Sequence, residues 1–143
     1  MQNISPMMLP ILINKLKKRI DNVNNDILKE YGLSKLHLLY LMLLLETEEG
    51  LTLKELSEHL GFDKANTSRA ISQLIAKKYV QKKLQGELEL KYKVELTEKG
   101  REISSVIWNQ NQEANIELIG LFTPEELRVL FQIGSKLWQY LSD

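Results

Sequence analysis

The stretch TLKELSEHLGFDKANTSRAISQLIAKKYVQKKLQGELELKYKVEL, residues 52–96, holds two short helix patterns followed by a strand pattern. Thr52 and Glu55 open the first helix as a T-x-x-E capping box, in which each side chain accepts a hydrogen bond from the other residue's backbone N–H. The buried face of this helix is predicted to hold Leu53, Leu56 and Leu60. Gly61 then supplies the left-handed residue on which such a helix ends, so the chain turns sharply there.

A second helix is predicted directly after this turn. Asp63 can cap it, and the run DKANTSRAISQLIAKK extends to residue 78. The inward positions of this helix are Thr67, Ile71 and Leu74. A short helix, a glycine-containing turn and a second helix together make a helix-turn-helix.

The hydrophobic period changes after the second helix. Five apolar residues alternate strictly with charged ones over residues 88–96, and this period of two predicts a strand with one buried face. The apolar set is Leu88, Leu90, Tyr92, Val94 and Leu96. Tyr79–Leu84 can pair with this strand through a turn around Gln85–Gly86. A hairpin in this position is a wing, and the order helix–turn–helix–hairpin is the most specific feature of the sequence.

A heptad seam precedes this stretch and predicts a long N-terminal helix. The seam consists of Leu9, Ile13, Leu16, Ile20, Val23 and Ile27. Ser5 with Pro6 can start the helix, or Pro10 can, because proline suits the first helical position. Gly32 fits the end of this helix. A further helix is predicted from the N-cap Ser34 to the acidic turn before the helix-turn-helix.

Two more helices are predicted after the hairpin. Thr97 caps a long helix that is expected to continue to about Ile119. Thr123, Pro124 and Glu126 then supply an N-cap, a first-turn proline and a capping-box glutamate. The apolar face of this last helix is Leu127, Leu130, Phe131, Gly134, Leu137, Trp138 and Leu141. The whole sequence therefore predicts six helices and one hairpin.

Composition fits one globular domain. The 143 residues are 43% hydrophobic and 27% charged, with no cysteine, which excludes disulfides, a thiolate nucleophile and Cys-based zinc sites. The net charge is zero, but residues 52–96 sum to +3 and residues 97–143 to −3. The apolar run 7–13 is too short for a membrane span and lacks the flanks of a signal peptide, so a cytoplasmic location is expected. No phosphate loop, nucleophile motif or distinct carboxylate pair predicts catalysis or a cofactor.

The predicted fold class is mainly α with a small β-hairpin wing. A winged helix-turn-helix lobe over residues 34–96 is flanked by helices at 1–33 and 97–143, and together they form a single domain. The apolar stripes in residues 7–31 and 123–141 exceed what one small lobe can cover. Exposed stripes of that size usually mark a partner surface, and a twofold homodimer is the commonest solution. The flanking helices are therefore predicted to be dimerisation helices.

The run ELSEHLGFDKANTSRAISQLIAKKYV, followed by a hairpin and LTEKG, resembles the MarR family of bacterial and archaeal regulators. The residues that carry the resemblance are Glu55, Leu56, Leu60, Asp63, Lys64, Ser68, Arg69, Leu74 and Leu96-Thr97-Glu98-Lys99-Gly100. The order of helices and hairpin extends the resemblance over essentially the whole chain. It implies a triangular homodimer that binds a palindromic site in double-stranded DNA, with each recognition helix in a major groove. It also implies that a small-molecule effector binds near the dimer hinge.

Two positions depart from the family pattern. The family usually carries an Asp-x-Arg or Asp-Arg-Arg at the wing tip, whose arginine reaches the minor groove, whereas this chain has Leu88, Glu89 and Leu90 there. Glu87 and Glu89 would face phosphate unfavourably, which puts the wing's contact with DNA in question. The family's glycine after the recognition helix is Lys78 here; if that position is left-handed, a side chain costs roughly 1 kcal/mol.

The outward face of the second helix of the helix-turn-helix is the predicted DNA-reading surface. It consists of Lys64, Ala65, Asn66, Ser68, Arg69, Ser72 and Gln73. Arginine pairs bidentately with guanine, asparagine or glutamine pairs with adenine, and small hydroxyls suit phosphates or either base type. A plain solvated polar face is the alternative interpretation. Arg69 is the strongest single candidate.

Four lysines on or beside the hairpin are candidate phosphate contacts. They are Lys82, Lys83, Lys91 and Lys93. Each phosphate contact would steepen the salt dependence of binding. Lysines on an edge strand also deter sheet-to-sheet pairing, and that interpretation stays open.

The histidines and large aromatic residues are the remaining candidates. His37 and His59 lie in no cluster with metal-ligand spacing, so no metal site is predicted. His37 can line a ligand pocket or be a partly buried, hydrogen-bonded histidine. Tyr40, Trp108 and Trp138 can contact an aromatic ligand, but aromatic residues at helical spacing more often belong to the core or the dimer interface.

Two functions are compatible with these observations. The first is a dimeric, sequence-specific DNA-binding transcription regulator that acts as a repressor and is released by a small ligand. The second is a winged-helix protein-interaction module without specific DNA binding, which the neutral net charge and the missing wing arginine favour. Arg69, Lys64 and Asn66 on the outward face favour the first.

Overall fold

The computed structural model describes residues 3–84 and 92–143 of the chain. A 3-10 turn at Pro6–Met8 leads into seven α-helices and a two-stranded hairpin. The helices are α1 (Leu9–Tyr31), α2 (Lys35–Leu45), α3 (Leu53–Leu60), α4 (Lys64–Ala76), α5 (Glu98–Ala114), α6 (Ile116–Ile119) and α7 (Pro124–Ser142), and the strands are β1 (Val80–Leu84) and β2 (Tyr92–Leu96). The mainly helical fold class with a hairpin wing is confirmed. None of the helices in these ranges combines the length and apolar character needed to cross a bilayer.

Most helix boundaries follow from local capping chemistry. Thr52 and Glu55 form the predicted capping box of α3, and Thr123 with Glu126 forms that of α7. At the N-terminus both alternatives hold in part. Ser5 caps the 3-10 turn at Pro6–Met8, while α1 itself begins beside Pro10.

The wing is an antiparallel hairpin joined to a third short segment. Val80 pairs with Leu96 at its base, and Leu51 forms an isolated bridge to Val94 on the free edge of β2. Val94 and Leu96 are buried, as the period-two pattern predicts, and Val80 on the partner strand is buried with them. The proposed strand residues 88–91 and the turn at 85–86 lie outside the described residues.

One core unites α2, α3, α4 and the hairpin with the adjoining halves of α1 and α5. Its buried hydrophobic residues are Leu28, Leu33, Leu38, Tyr40, Leu41, Leu44, Leu56, Ala70, Ile71, Leu74, Val80, Val94, Leu96 and Ile107. The helix-turn-helix therefore forms one packed lobe from which α1 and α5 extend.

The predicted long helix from Thr97 to Ile119 is wrong, because it is interrupted at Asn115. Helix α5 ends at Ala114, Asn115 adopts φ −107° and ψ 10°, and α6 follows as a separate single turn. The Asn115 side-chain amide donates to the backbone carbonyl and to Oδ1 of Asn111. Asparagine side chains compete in this way for backbone groups and favour helix ends over helix interiors.

The start of α5 is fixed against the end of α4. Lys78 adopts φ 65°, so the position that aligns with the family's glycine is left-handed, and its carbonyl accepts a hydrogen bond from Oγ1 of Thr97 at 2.6 Å. The Thr97 N–H donates to the carbonyl of Tyr79. A Cβ atom on Gly100 would lie 1.8 Å from that same carbonyl oxygen, so only glycine allows this approach.

Candidate nucleic-acid interface

The orientation of α4 is set by its buried side. Thr67, Ala70, Ile71 and Leu74 face the core, which includes the three predicted inward positions. The hydroxyls of Thr67 and Tyr40 lie 2.7 Å apart and bond α4 to α2. This arrangement fixes which residues of α4 point outward.

The predicted reading residues lie together on the outward face of α4. All are exposed except Asn66, which is half-buried: Lys64, Ala65, Asn66, Ser68, Arg69, Ser72 and Gln73. Among the described residues, neither Lys64 nor Arg69 takes part in an ion pair. Two positive charges on this face are therefore free to meet an anion.

A short hydrogen-bond chain at the N-terminus of α4 positions Arg69. Asp63 caps the helix by accepting from the Asn66 backbone N–H at 2.7 Å, and its second oxygen accepts from Nδ2 of Asn66 at 3.2 Å. Nη1 of Arg69 then donates to Oδ1 of Asn66 at 3.4 Å. Both ends of the Asn66 amide are therefore engaged, one with Asp63 and the other with Arg69.

Gln73 is tied to the lobe by a contact that sequence reasoning did not find. Its Oε1 lies 2.7 Å from Nε2 of His37, a residue only 8% exposed at the start of α2. The other ring nitrogen, Nδ1, accepts a hydrogen bond from the Ser34 N–H at 3.1 Å. Of the two interpretations of His37, the structure therefore favours a buried, hydrogen-bonded histidine over a pocket-lining one. His37 does not line the cavity described below.

The hairpin lysines differ in their surroundings. Lys83 and Lys93 are paired directly across the strands, and each lies near a carboxylate, Lys83 3.9 Å from Glu95 and Lys93 4.0 Å from Glu49. Like charges opposite each other destabilise a sheet, so these carboxylates offset that repulsion. Lys82 instead places its Nζ 4.6 Å from the ring centroid of Tyr92.

The other wing residues singled out from the sequence are Lys91 and those at the wing tip. Lys91 and the wing-tip residues 87–90 lie outside the described residues. Of the three hairpin lysines that the structure describes, Lys82 alone is both exposed and outside any ion pair among the described residues, so it is the one of these three best placed for a phosphate.

A cavity of about 370 Å³ lies between α1, α2 and α5. Its lining is largely apolar, with a polar strip from Asn24, Asn111, Gln112 and Asn115. Asn111 donates to Oδ1 of Asn24 at 2.6 Å, and Asn115 donates to Oδ1 of Asn111 at 3.1 Å, so three amides form a chain along one wall. The Oδ1 of Asn115 is buried and has no hydrogen-bond partner among the residues that the structure describes.

The three aromatic candidates lie in three different places. Trp108 lines the cavity, Tyr40 lies in the core, and Trp138 stacks on His59 at a centroid distance of 6.2 Å. The cavity asparagines were missed by sequence reasoning. The i, i+4 spacing of Asn111 and Asn115 inside a helix was the available signal, because asparagine is a weak helix former.

A charged cluster joins α1 to the start of α2. Asp21 lies 2.7 Å from Nζ of Lys35 and 3.0 Å from Nζ of Lys17. These two hydrogen bonds, the one from Lys35 first, lower the pKa of the Asp21 carboxyl below its ordinary value. The cluster fixes the long N-terminal helix to the lobe near the cavity.

Comparisons with known proteins agree with this fold. A family model described as the MarR family matches residues 31–87. The chain is 32% identical over 95 residues to the HTH-type transcriptional regulator SarZ of Staphylococcus epidermidis, an alignment of 66% of this chain and 64% of that relative's length. The chain thus spans less than two thirds of that relative.

Solved structures extend the similarity over the whole chain. A putative MarR-family transcriptional regulator from Listeria monocytogenes, complexed with a 26mer DNA, superposes with a TM-score of 0.80 at 25% identity and covers 100% of this chain and 91% of its own. A MarR protein from Peptoclostridium difficile gives a TM-score of 0.77 at 26% identity, covering 99% and 92%.

Proposed function

This chain belongs to the MarR family, whose members are transcription regulators rather than enzymes, and on that premise we propose that it is a homodimeric, sequence-specific DNA-binding regulator. The observation that carries the proposal is the outward face of α4. There Arg69 is exposed, makes no ion pair among the described residues and is oriented by Asn66. An arginine held in this way is suited to the O6 and N7 acceptors of guanine in a major groove.

Other residues on the outward face of α4 suit phosphates or bases beside Arg69. Lys64 lies at the first turn of α4, where a lysine can reach a phosphate beside the groove. Ser68 and Ser72 are small exposed hydroxyls on the same face. Ala65 offers a methyl group suited to contact with thymine. The hairpin adds Lys82 as a backbone contact.

The homodimer is supported by the apolar surface that one chain leaves uncovered. Helix α7 buries none of its residues, and the seam of α1 is exposed over its first half. The large hydrophobic residues exposed on these two helices include Leu9, Ile13, Leu16, Ile20, Leu130, Phe131, Leu137, Trp138 and Leu141. A twofold dimer would cover them and would set two recognition helices on half-sites about one DNA turn apart.

The cavity between α1, α2 and α5 is the proposed effector site. Its volume of about 370 Å³ falls within the range of small-molecule pockets, and it lies where the long helices leave the lobe. A ligand held there would favour one angle between the lobe and the long helices. We assign the protein the role of a cytoplasmic repressor. Binding of such a ligand would release it from its operator DNA.

The experiment that tests this proposal is fluorescence-anisotropy binding to a palindromic DNA from upstream of the protein's own gene. Scrambled DNA of the same length is the control, and both are titrated over a salt series. We expect tighter binding to the upstream DNA and a steep salt dependence, because each phosphate contact releases counterions. Equal and weak binding to both DNAs contradicts specific recognition.

A winged-helix protein-interaction module is the second candidate. The zero net charge of the chain and the carboxylates beside Lys83 and Lys93 favour it, since both weaken attraction to DNA. The same titration separates the two candidates. A module of this kind would give no salt-dependent preference for the upstream DNA.

A further inference from the structure

The bonds around His37 fix the positions of its protons. The backbone N–H of Ser34 points at Nδ1 of the imidazole, 3.1 Å away, and a backbone N–H can only donate. Nδ1 must therefore be the nitrogen without a proton. In the neutral ring the proton then sits on Nε2, which makes Nε2 a donor.

This proton assignment also fixes the side-chain amide of Gln73. The atom 2.7 Å from Nε2 of His37 must be an acceptor, which is Oε1 of Gln73. The amide nitrogen of Gln73 is then the end left over. It has no hydrogen-bond partner among the described residues, and Gln73 as a whole is exposed on the reading face.

A glutamine held in this way cannot read adenine as a free glutamine does. Bidentate recognition of adenine needs the carbonyl oxygen to accept from N6 while the amide nitrogen donates to N7. The bond to Nε2 of His37 directs the carbonyl oxygen of Gln73 towards α2 and leaves the amide nitrogen as the end that faces outward. The free amide nitrogen carries two N–H donors, which suit O6 and N7 of guanine together, or O4 of thymine. At adenine it finds one acceptor, N7, beside an amino group that is itself a donor, and at cytosine it finds an amino group alone.

We infer that His37 is a positioning residue that turns Gln73 into a donor-only reader, so that α4 selects a keto base at the base pair facing Gln73. The inference rests on the proposed DNA-binding function and assigns it one determinant of sequence specificity. His37 acts from the start of α2, within the lobe, and touches no DNA itself.

The proton arrangement is tested without DNA. Nitrogen-15 NMR of the His37 ring under mildly alkaline conditions should show the tautomer protonated at Nε2. In Gln73→Met, with its acceptor gone, the Nε2 resonance should move, whereas Gln81→Met, which removes an amide from the hairpin, should leave it unchanged. A ring protonated at Nδ1 overturns the inference.

The reading role is tested by selecting bound sequences from a randomised palindromic DNA pool. The base pair at which Gln73→Met loses its preference identifies the position that Gln73 faces. Native protein should enrich guanine or thymine there. His37→Asn keeps an acceptor for the Ser34 N–H but is too short to reach Gln73, and it should raise the relative recovery of adenine at that position by about fivefold or more.

The outcomes distinguish a failure of this inference from a failure of the proposed DNA-binding function on which it rests. Adenine preferred by the native protein, a preference unchanged in His37→Asn, or no base pair affected by Gln73→Met each overturns the role of Gln73 while leaving DNA binding intact. A native protein that selects no sequence at all contradicts the proposed function and this role with it.

Discussion

The phenolic hydroxyl of Tyr40 lies 2.7 Å from Oγ1 of Thr67, and both side chains are completely buried. The bond connects α2 to the inner side of the recognition helix α4. A buried hydroxyl that loses its partner keeps its desolvation cost, so each residue depends on the other.

Breaking this pair from either side should destabilise the fold. We expect Tyr40→Phe and Thr67→Val each to lower the free energy of unfolding by about 1–3 kcal/mol, because each leaves one buried hydroxyl unpaired. The double variant should lose less than the sum of the two. Urea denaturation at one fixed protein concentration gives the double-mutant cycle, and additive losses would contradict the coupling.

Arg69 should carry a large share of specific binding. We expect Arg69→Ala to weaken operator binding at least about tenfold, corresponding to about 1.4 kcal/mol, while leaving the thermal melt and the molecular mass unchanged. Lys29→Ala, which removes one positive charge from the exposed last turn of α1, is the matched control. Equal effects of the two substitutions in anisotropy titrations would refute a specific role for Arg69.

The exposed seam of α1 should be the dimer contact. Ile13 is 57% exposed in one chain, so Ile13→Asp costs little within a chain but places a charge in the proposed interface. We expect light scattering to report a dimer for the native protein and a shift toward monomer for this variant. Asn22→Asp, on the opposite side of α1, should stay dimeric. A monomeric native protein at micromolar concentration would rule out the homodimer.

The strained residue after the recognition helix should respond to glycine. Lys78 has φ 65°, where a side chain costs roughly 1 kcal/mol, so Lys78→Gly should leave stability unchanged or raise it by up to about 1 kcal/mol. Lys77 has φ −79°, and Lys77→Gly should lower stability. Thermal unfolding of both variants measures the difference, and a loss at position 78 as large as at 77 would argue against the strain.

Local signals in the sequence predicted most of the helix ends. The capping residues Thr52, Thr97 and Thr123 act on backbone groups within three residues, so their effect is readable from the sequence alone. Alignment with a family glycine marked Lys78 as a position that could be left-handed, and the structure has φ 65° there. The break at Asn115 was missed because apolar spacing continues across it while a side-chain hydrogen bond ends the helix.

Contacts between distant residues account for what the sequence could not reveal. The outward position of Gln73 follows from helical periodicity, but its bond to His37 joins residues 36 positions apart. Asn24 and Asn111, which build the cavity wall, are 87 positions apart. Such pairs depend on how α1, α2, α4 and α5 pack together, and no local pattern encodes that geometry.

The close approach of Gly100 to the Tyr79 carbonyl has a mechanical consequence. Together with the bonds of Thr97 to Lys78 and Tyr79, it holds the end of the recognition helix tightly against the start of α5. Helix α5 has 17 residues and is therefore a lever about 25 Å long. If its far end is held in a dimer, tilting that lever by about 10° moves the DNA-reading lobe by about 4 Å. The angle at which two such lobes could meet DNA would then be set by a joint built from backbone groups and one hydroxyl, that of Thr97.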